Sequence, residues 1–352
     1  MDLKNSKLYK EELNCLLKDN INYELFKDKS LLVTGARGLI GSYLIDTIML
    51  ANEKMNLNCK VYALGLSIHG KERFKEYLNN PLFEYIIHDV NKELTINDNI
   101  DYVIHLASNT HPLSYAKEPI KTITTNVIGT YNLLNFASQK KVKRFVFASS
   151  VEIYGESKKD VLLFDEDYCG YINSNTLRAG YPEGKRCGEA LCQAFKEEKK
   201  IDVVIPRFSR IYGPTILKED SKAISQFLFK ALNNEDIILK SEGKQHYSYT
   251  YVYDAVYALL LITLNGENGE AYNVSYPETD KKLFEIANLI ADSVNKKVLF
   301  DLPSEVEKKG FSKATIARMD NSKLKRLGFN PKYDMKMGIE STLAIIKEAN
   351  NV

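Results

Sequence analysis

The chain has 352 residues with 48 Lys and Arg against 46 Asp and Glu, so a formal net charge of +2 points to no polyanionic partner and no nucleic acid is expected. With 44% hydrophobic and 27% charged residues, and only 9 prolines and 18 glycines, the composition excludes disorder and collagen-like repeats and provides for a large core. Five cysteines (Cys15, Cys59, Cys169, Cys187, Cys192) form no C-x-x-C pair and no zinc-finger spacing with histidine, which predicts a reduced, cytoplasmic protein without a metal.

Residues 1–28 alternate charged and apolar residues at helical spacing and lack the apolar stretch and cleavage site of a secretory signal, so they predict an N-terminal helical extension. From Lys29 a serial alternation begins. KSLLVT reads as a strand, followed by glycines and the helical pattern LIGSYLIDTIML. CKVYALG, helix-like HGKERFKEYL, FEYIIHDV and DYVIHLAS come next, then helix-like IKTITTNVIGTYNLLNFASQ, KRFVFASS, helix-like PEGKRCGEALCQAFKEE and IDVVIPRF. Strands separated by helices pair in parallel through right-handed crossovers, so the fold class is α/β, a Rossmann-like doubly wound parallel sheet over residues 29–212. After Gly213-Pro214 the rhythm loosens into helices and short, separated strands, predicting a smaller mixed α/β substrate lobe over 213–352 with a soft boundary between 207 and 220. The longest apolar stretches, such as Ala255 to Leu264, fall short of the ~20 residues that cross a bilayer, so no membrane partner is expected.

Thr34-Gly35-Ala36-Arg37-Gly38-Leu39-Ile40-Gly41 places glycines three apart between the first strand and first helix, where they permit a tight turn and bring backbone N–H groups to a phosphate. A glycine triplet can be a structural turn, but at the head of a serial βαβ pattern it predicts a dinucleotide site formed by Gly35, Arg37, Gly38, Leu39, Ile40 and Gly41. The ribose-reading acid expected about 20 residues on is absent, because the second strand ends Ala63-Leu64-Gly65-Leu66-Ser67. With Arg37, Lys71 and Arg73 at hand, the cofactor is expected to be NAD, with NADP left open. Tyr181 and Lys185 form a Y-x-x-x-K pair on one helix face, where an ammonium beside a phenol lowers the phenol pKa and favours a tyrosinate base. The strand KRFVFASS delivers Ser149 and Ser150 to the sheet edge where α/β sites assemble.

These residues, with His105-Leu-Ala-Ser108, Pro112, Tyr115, Pro119-Ile-Lys-Thr122, Thr125-Asn126-x-Ile128-Gly129-Thr130, Ser150-x-Glu152-x-Tyr154-Gly155 and Arg178-Ala-Gly-Tyr181-x-Glu-Gly-Lys185-Arg186, give a resemblance to a known family. From about Lys29 to Asn330 the chain resembles the extended short-chain dehydrogenase/reductases that modify nucleotide sugars, and most closely the UDP-glucuronate decarboxylases. The resemblance implies that Tyr181 takes the proton of the sugar 4-hydroxyl as hydride moves from C4 to the nicotinamide. It implies that Lys185 holds the cofactor ribose, that Ser150 bonds the same hydroxyl, and that Glu152 supplies a carboxylate. Asp89 and Val90 would meet the adenine, Leu106, Ala107 and Ser108 the nicotinamide side, and Asn126 the inner site. Pro112, Tyr115, Arg178, Arg210, Tyr247 and Arg318 are the substrate candidates, and His105 is expected to be a buried, satisfied histidine. The expected substrate is a nucleotide sugar, a UDP-sugar first, worked through a transient 4-keto sugar by a homodimer.

The chain also departs from this family. Val151 stands where the decarboxylases usually have serine and many 4,6-dehydratases aspartate. Arg210 stands where relatives usually place an asparagine near the diphosphate, and Tyr247 where they place an arginine. A 4,6-dehydratase and a 4- or 5-epimerase therefore stand beside the decarboxylase as alternatives, and a non-catalytic dinucleotide-binding protein is the alternative of another class.

Overall fold

The computed structural model describes residues 2–110, 112–157, 161–301, 303 and 315–350. β1 (Ser30–Thr34) is buried along its whole length, and its side chains divide between two cores, Leu31 and Val33 on one face and Leu32 on the other. Such a strand needs helices above and below it, and the sequence supplies both. β2 (Lys60–Gly65) and β3 (Phe83–Ile87) flank it on one side. β4 (Tyr102–His105), β5 (Arg144–Phe147) and β7 (Val203–Phe208) lie on the other, with short β6 (Ser149–Ser150) pairing β7. These pairings are all parallel, as the alternation predicts. α1 (Lys7–Leu16) and α2 (Leu39–Met55) contribute to the first core, and α4 (Pro119–Lys140) and α5 (Gly180–Lys199) to the second. The six-residue helix α3 (Pro112–Lys117) precedes α4.

One expectation changes. HGKERFKEYL does not form an α-helix: residues 68–77 are 3₁₀ turns broken at Phe74, whose ring is buried against Phe83 at 5.4 Å, so tertiary packing overrides the helical spacing. The lobe expected after residue 213 also gives a strand back to the main sheet. β8 (Arg210–Tyr212), α6 (Ala223–Leu232), β9 (Ile237–Leu239), β10 (His246–Tyr247) and β11 (Tyr249–Tyr251) lead into the lobe, but the chain then returns to the main sheet. α7 (Val252–Asn265) is apolar and buried on all sides, so it needs the sheet as cover, and β12 (Ala271–Val274) extends that sheet by pairing parallel with β7. The lobe is completed by β13 (Lys281–Lys282), α8 (Leu283–Asp292), β14 (Val298–Phe300) and β15 (Ile316–Ala317). α9 (Ser322–Arg326) and α10 (Met335–Asn350) follow, with α10 also contributing to the first core.

The N-terminal extension is part of this core. Glu12 of α1 is buried and accepts the hydroxyls of Tyr43 at 2.7 Å and Tyr251 at 2.9 Å, so one carboxylate ties α1 to α2 and to the start of α7. Burial pushes its pKa up from 4.5 to about 7. Buried Asp254, which accepts the backbone N–H groups of Lys332 and Tyr333, is likewise pushed up by burial to about 7. The folded chain therefore binds these protons more tightly than the unfolded chain, and stability falls as pH rises through the interval from about 4.5 to about 7. Glu12→Gln keeps an acceptor for one of the two tyrosines and removes the titration. It should flatten the fall in stability between about pH 4.5 and 7, by at most ~1.4 kcal/mol per pH unit, as read from thermal unfolding at a series of pH values.

Candidate active site

The turn after β1 is set by Gly35, which sits at φ +66°. A Cβ there would fall 2.8 Å from the backbone of Leu106 and Ala107 at the end of β4, and one on Gly41 would fall 2.6 Å from the Gly35 carbonyl oxygen. The glycines thus leave a cradle walled by backbone at the start of α2, where Gly38 is the N-cap and the first N–H groups carry partial positive charge, which suits a dinucleotide diphosphate. Gly35, Arg37, Gly38, Leu39, Ile40 and Gly41 all line one cavity of about 1020 Å³. Asp89 and Val90 line it too, and the Asn91 backbone N–H, 3.0 Å from Asp89 Oδ1, holds the Asp89 carboxyl below its ordinary range.

Of the cations expected near the ribose, Arg37 pairs with Glu219 at 2.6 Å, and Arg73 is bound to Asp46 of α2 and so is removed from the site. Arg73 was unreadable as a structural residue because its partner lies on another helix.

His105 ties this turn to the rest of the sheet. Its Nδ1 lies 2.8 Å from Thr34 Oγ1 and its Nε2 3.2 Å from Thr130 Oγ1, and Thr34 Oγ1 in turn accepts the Ala107 N–H at 3.1 Å. Burial lowers the imidazole pKa to about 3, so the ring is neutral and serves as a structural link. Leu106, Ala107 and Ser108 line the cavity just beyond it. Asn126 is fully buried behind them, accepting the Ser108 hydroxyl at 2.8 Å and donating to Thr122 O at 2.9 Å.

On the facing wall, α5 carries Tyr181 and Lys185 one turn apart, both buried, and β6 ends at Ser150, whose hydroxyl accepts the Glu152 N–H at 3.3 Å. Lys185 Nζ donates to Ala148 O at 2.7 Å and stands 6.0 Å from the centre of the Tyr181 ring. Burial lowers its pKa to about 7. The Tyr181 phenol moves the other way: burial pushes it up to about 12, against the opposing pull of its hydrogen bond with Ser150. Burial thus moves both groups toward their uncharged forms in the free chain, whereas the spacing alone suggested a lowered phenol. A positive charge arriving in the cavity would lower the phenol; the oxidised nicotinamide carries one.

The substrate candidates separate. Arg178, Arg210, Tyr115 and Tyr247 line the cavity beside Glu152. Arg178 Nη2 donates to Glu152 Oε2 at 2.8 Å, and Tyr115 packs on Tyr181 with ring centres 4.9 Å apart. Arg210 lies over the Tyr247 ring and reaches Glu152, because β8 carries it alongside β11. Arg318 is turned away: it is absent from the cavity wall and its Nε donates to Asp280 at 2.7 Å, which satisfies its charge locally. The side chain of Pro112, and His111 entire, lie outside the described residues.

The sequence did not reveal Glu219, Lys222, Lys230 and Lys240, which also line the cavity. They come from the segment before α6, from α6 itself and from the end of β9, so no compact motif marks them. Among the described residues no three His, Cys, Asp or Glu side chains are grouped to hold a metal ion, and no helix is long and apolar enough to cross a membrane.

The NAD dependent epimerase/dehydratase family model matches residues 31–275. The chain belongs to this family. The match takes in the glycine cradle and the Tyr181–Lys185 pair, and it ends just past β12, where the main sheet ends. Over 315 residues the chain is 33% identical to UDP-glucuronic acid decarboxylase 3 of Arabidopsis thaliana, covering 88% of this chain and 86% of the relative. The same fold is found in a dTDP-glucose 4,6-dehydratase from Streptomyces venezuelae, with a TM-score of 0.78, 23% identity and coverage of 92% and 98% of the two chains. It is found again in a UDP-glucuronic acid 4-epimerase from Bacillus cereus, with a TM-score of 0.76, 22% identity and coverage of 91% and 99%.

Gly35→Ala tests the cradle. A left-handed backbone costs a residue with a Cβ about 1–2 kcal/mol, and the contact with Ala107 adds to it, so the variant should lose NAD affinity by calorimetry and unfold at a lower temperature.

Proposed function

We propose that this enzyme decarboxylates UDP-glucuronate: C4 is oxidised, C6 leaves as CO₂, and C4 is reduced again. The observation that carries the reading is that Ser150, Glu152, Tyr181 and Lys185 line the same cavity as the glycine cradle, in a chain 33% identical to a UDP-glucuronic acid decarboxylase. Bound NAD supplies the reversible two-electron oxidation at C4. Gly35, Gly38 and Gly41 would hold its diphosphate, Asp89 and Val90 its adenine, and Leu106, Ala107 and Ser108 its nicotinamide side.

Tyr181 Oη takes the proton of the 4-hydroxyl and later returns it, and Ser150 Oγ holds the same oxygen. With C4 a ketone, the C5 carboxylate belongs to a β-keto acid. The C5–C6 bond breaks, CO₂ leaves, and its electron pair moves onto O4 as an enolate that the hydroxyls of Ser150 and Tyr181 stabilise before C5 is protonated. Expelling CO₂ needs no acid, whereas expelling the C6 hydroxyl as water does. The residue between Ser150 and Glu152 is Val151, a buried alkyl group that donates no proton, and this favours decarboxylation over 4,6-dehydration.

The reading includes a cytoplasmic homodimer. All five cysteines are free, as in a reducing compartment, and Ile120, Ile123, Ile128 and Tyr131 leave an exposed apolar stripe along α4 that a second copy would cover. Light scattering should return twice the mass of the chain.

The deciding experiment is product analysis by mass spectrometry and NMR after incubation with NAD⁺ and, in parallel, UDP-glucuronate, UDP-glucose and dTDP-glucose. CO₂ should be lost from UDP-glucuronate, and Tyr181→Phe should slow that turnover by about 10²–10⁴-fold with the fold intact. Loss of water from dTDP-glucose, or a mass-neutral change at C4 of UDP-glucuronate, would replace the decarboxylase with the dehydratase or the epimerase.

A further inference from the structure

Glu152 is held by two cations. Arg178 Nη2 lies 2.8 Å from one carboxylate oxygen and Arg210 Nη2 3.6 Å from the other, and all three side chains line the cavity beside Ser150 and Tyr181. Each guanidinium is braced by a tyrosine, Arg178 over Tyr115 at 4.6 Å and Arg210 over Tyr247 at 3.4 Å from the ring centre. The root of Arg210 is fixed as well, since its N–H donates to Ser248 O at 3.1 Å and its register partner is Tyr249, two residues from Tyr247.

This cluster does not satisfy itself. Two guanidiniums face one carboxylate, which leaves one positive charge in excess, and Arg178 Nε, Arg178 Nη1 and Arg210 Nη1 are buried without a hydrogen-bond partner. A cation in a cavity wall with donors to spare is matched by an anion on the ligand. The cluster adjoins Tyr181, on which Tyr115 packs and whose phenol feels both Glu152 and Arg178, so it stands where C4 and C5 of the sugar must lie if Tyr181 is to reach O4, and the anion it faces is one carried by the sugar. Val151 offers a C5 carboxylate no hydrogen bond, so its partner must come from another element.

We propose that Arg210, braced on Tyr247 and set beside Arg178 around Glu152, is the residue by which this enzyme selects a nucleotide sugar bearing a carboxylate at C5 over the neutral hexose. The proposal rests on the reading of the site as acting at C4 of a nucleotide sugar. Arg210 acts here through its unpartnered Nη1, beside the Nε and Nη1 of Arg178, donors fixed in the plane of a guanidinium that an ammonium does not reproduce.

The test is calorimetric binding to the NAD-loaded enzyme, with UDP-glucuronate, UDP-glucose and UDP as ligands, for the wild type, Arg210→Asn and Arg210→Lys. The wild type should bind UDP-glucuronate more tightly than UDP-glucose. Arg210→Asn should lose ~10- to 100-fold in affinity for UDP-glucuronate, as expected for a charged hydrogen bond, with UDP-glucose and UDP little changed. Arg210→Lys should recover part of the loss, and it carries the test by the same selective loss if the asparagine variant does not fold. An equal loss on all three ligands would make Arg210 a diphosphate ligand, and no loss on any would leave it outside recognition; either overturns the proposal. If the selective loss is found while UDP-glucuronate gives no CO₂, the decarboxylase reading fails and the selection of uronates stands.

Discussion

The site depends on how closely the turn after β1 approaches the end of β4. A Cβ at Gly35 would meet the Leu106–Ala107 backbone at 2.8 Å, so the two strand ends touch through main chain alone. From that contact a line of fixed neighbours runs across the cavity. Ala107 is held by Thr34, Ser108 by Asn126, and Asn126 lies against Gly184 of α5, where a Cβ would sit 3.0 Å away. Gly184 adjoins Lys185, and Tyr181 stands one turn before it. The distance between the dinucleotide cradle and the phenol is therefore set by packed backbone and two hydrogen bonds, which gives the reacting groups little freedom to drift.

Burial moves Tyr181 and Lys185 in opposite directions, up to about 12 and down to about 7, for one reason: the wall excludes water, which penalises either charged form. The same wall sets two guanidiniums against the Glu152 carboxylate. Water exclusion thus acts on Tyr181 and Lys185, and ion pairing on Glu152.

What was legible in the sequence is what lies close along the chain. The glycines from Gly35 to Gly41 and the Tyr181–Lys185 pair each fall within two helical turns, and the serial strands each report their burial by their own apolar residues. What was not legible joins distant segments. Arg210 and Glu152 are far apart in the chain and meet only because β8 and the turn after β6 share a wall. The direction of the Tyr181 shift depends on how much water reaches the phenol, which spacing does not encode. The return of β12 to the main sheet was hidden because AYNV reads as well in a small lobe as beside β7. Arg318 shows the reverse failure, a cation placed by motif that its neighbour Asp280 draws off.

The packing of the first helix has a consequence for how the chain is made. Ser6, the N-cap of α1, donates its hydroxyl to Glu348 of α10 at 2.6 Å, and Tyr251 reaches Glu12 from the other half of the chain. Helix α1 can pair with Tyr43 of α2 early, but its partners Tyr251 and Glu348 follow 239 and 342 residues behind Glu12 and Ser6, tens of seconds later at ~5–20 residues per second. A fold whose catalytic half is assembled from local βαβ units is therefore closed, on its outer face, by contacts of the longest range it contains.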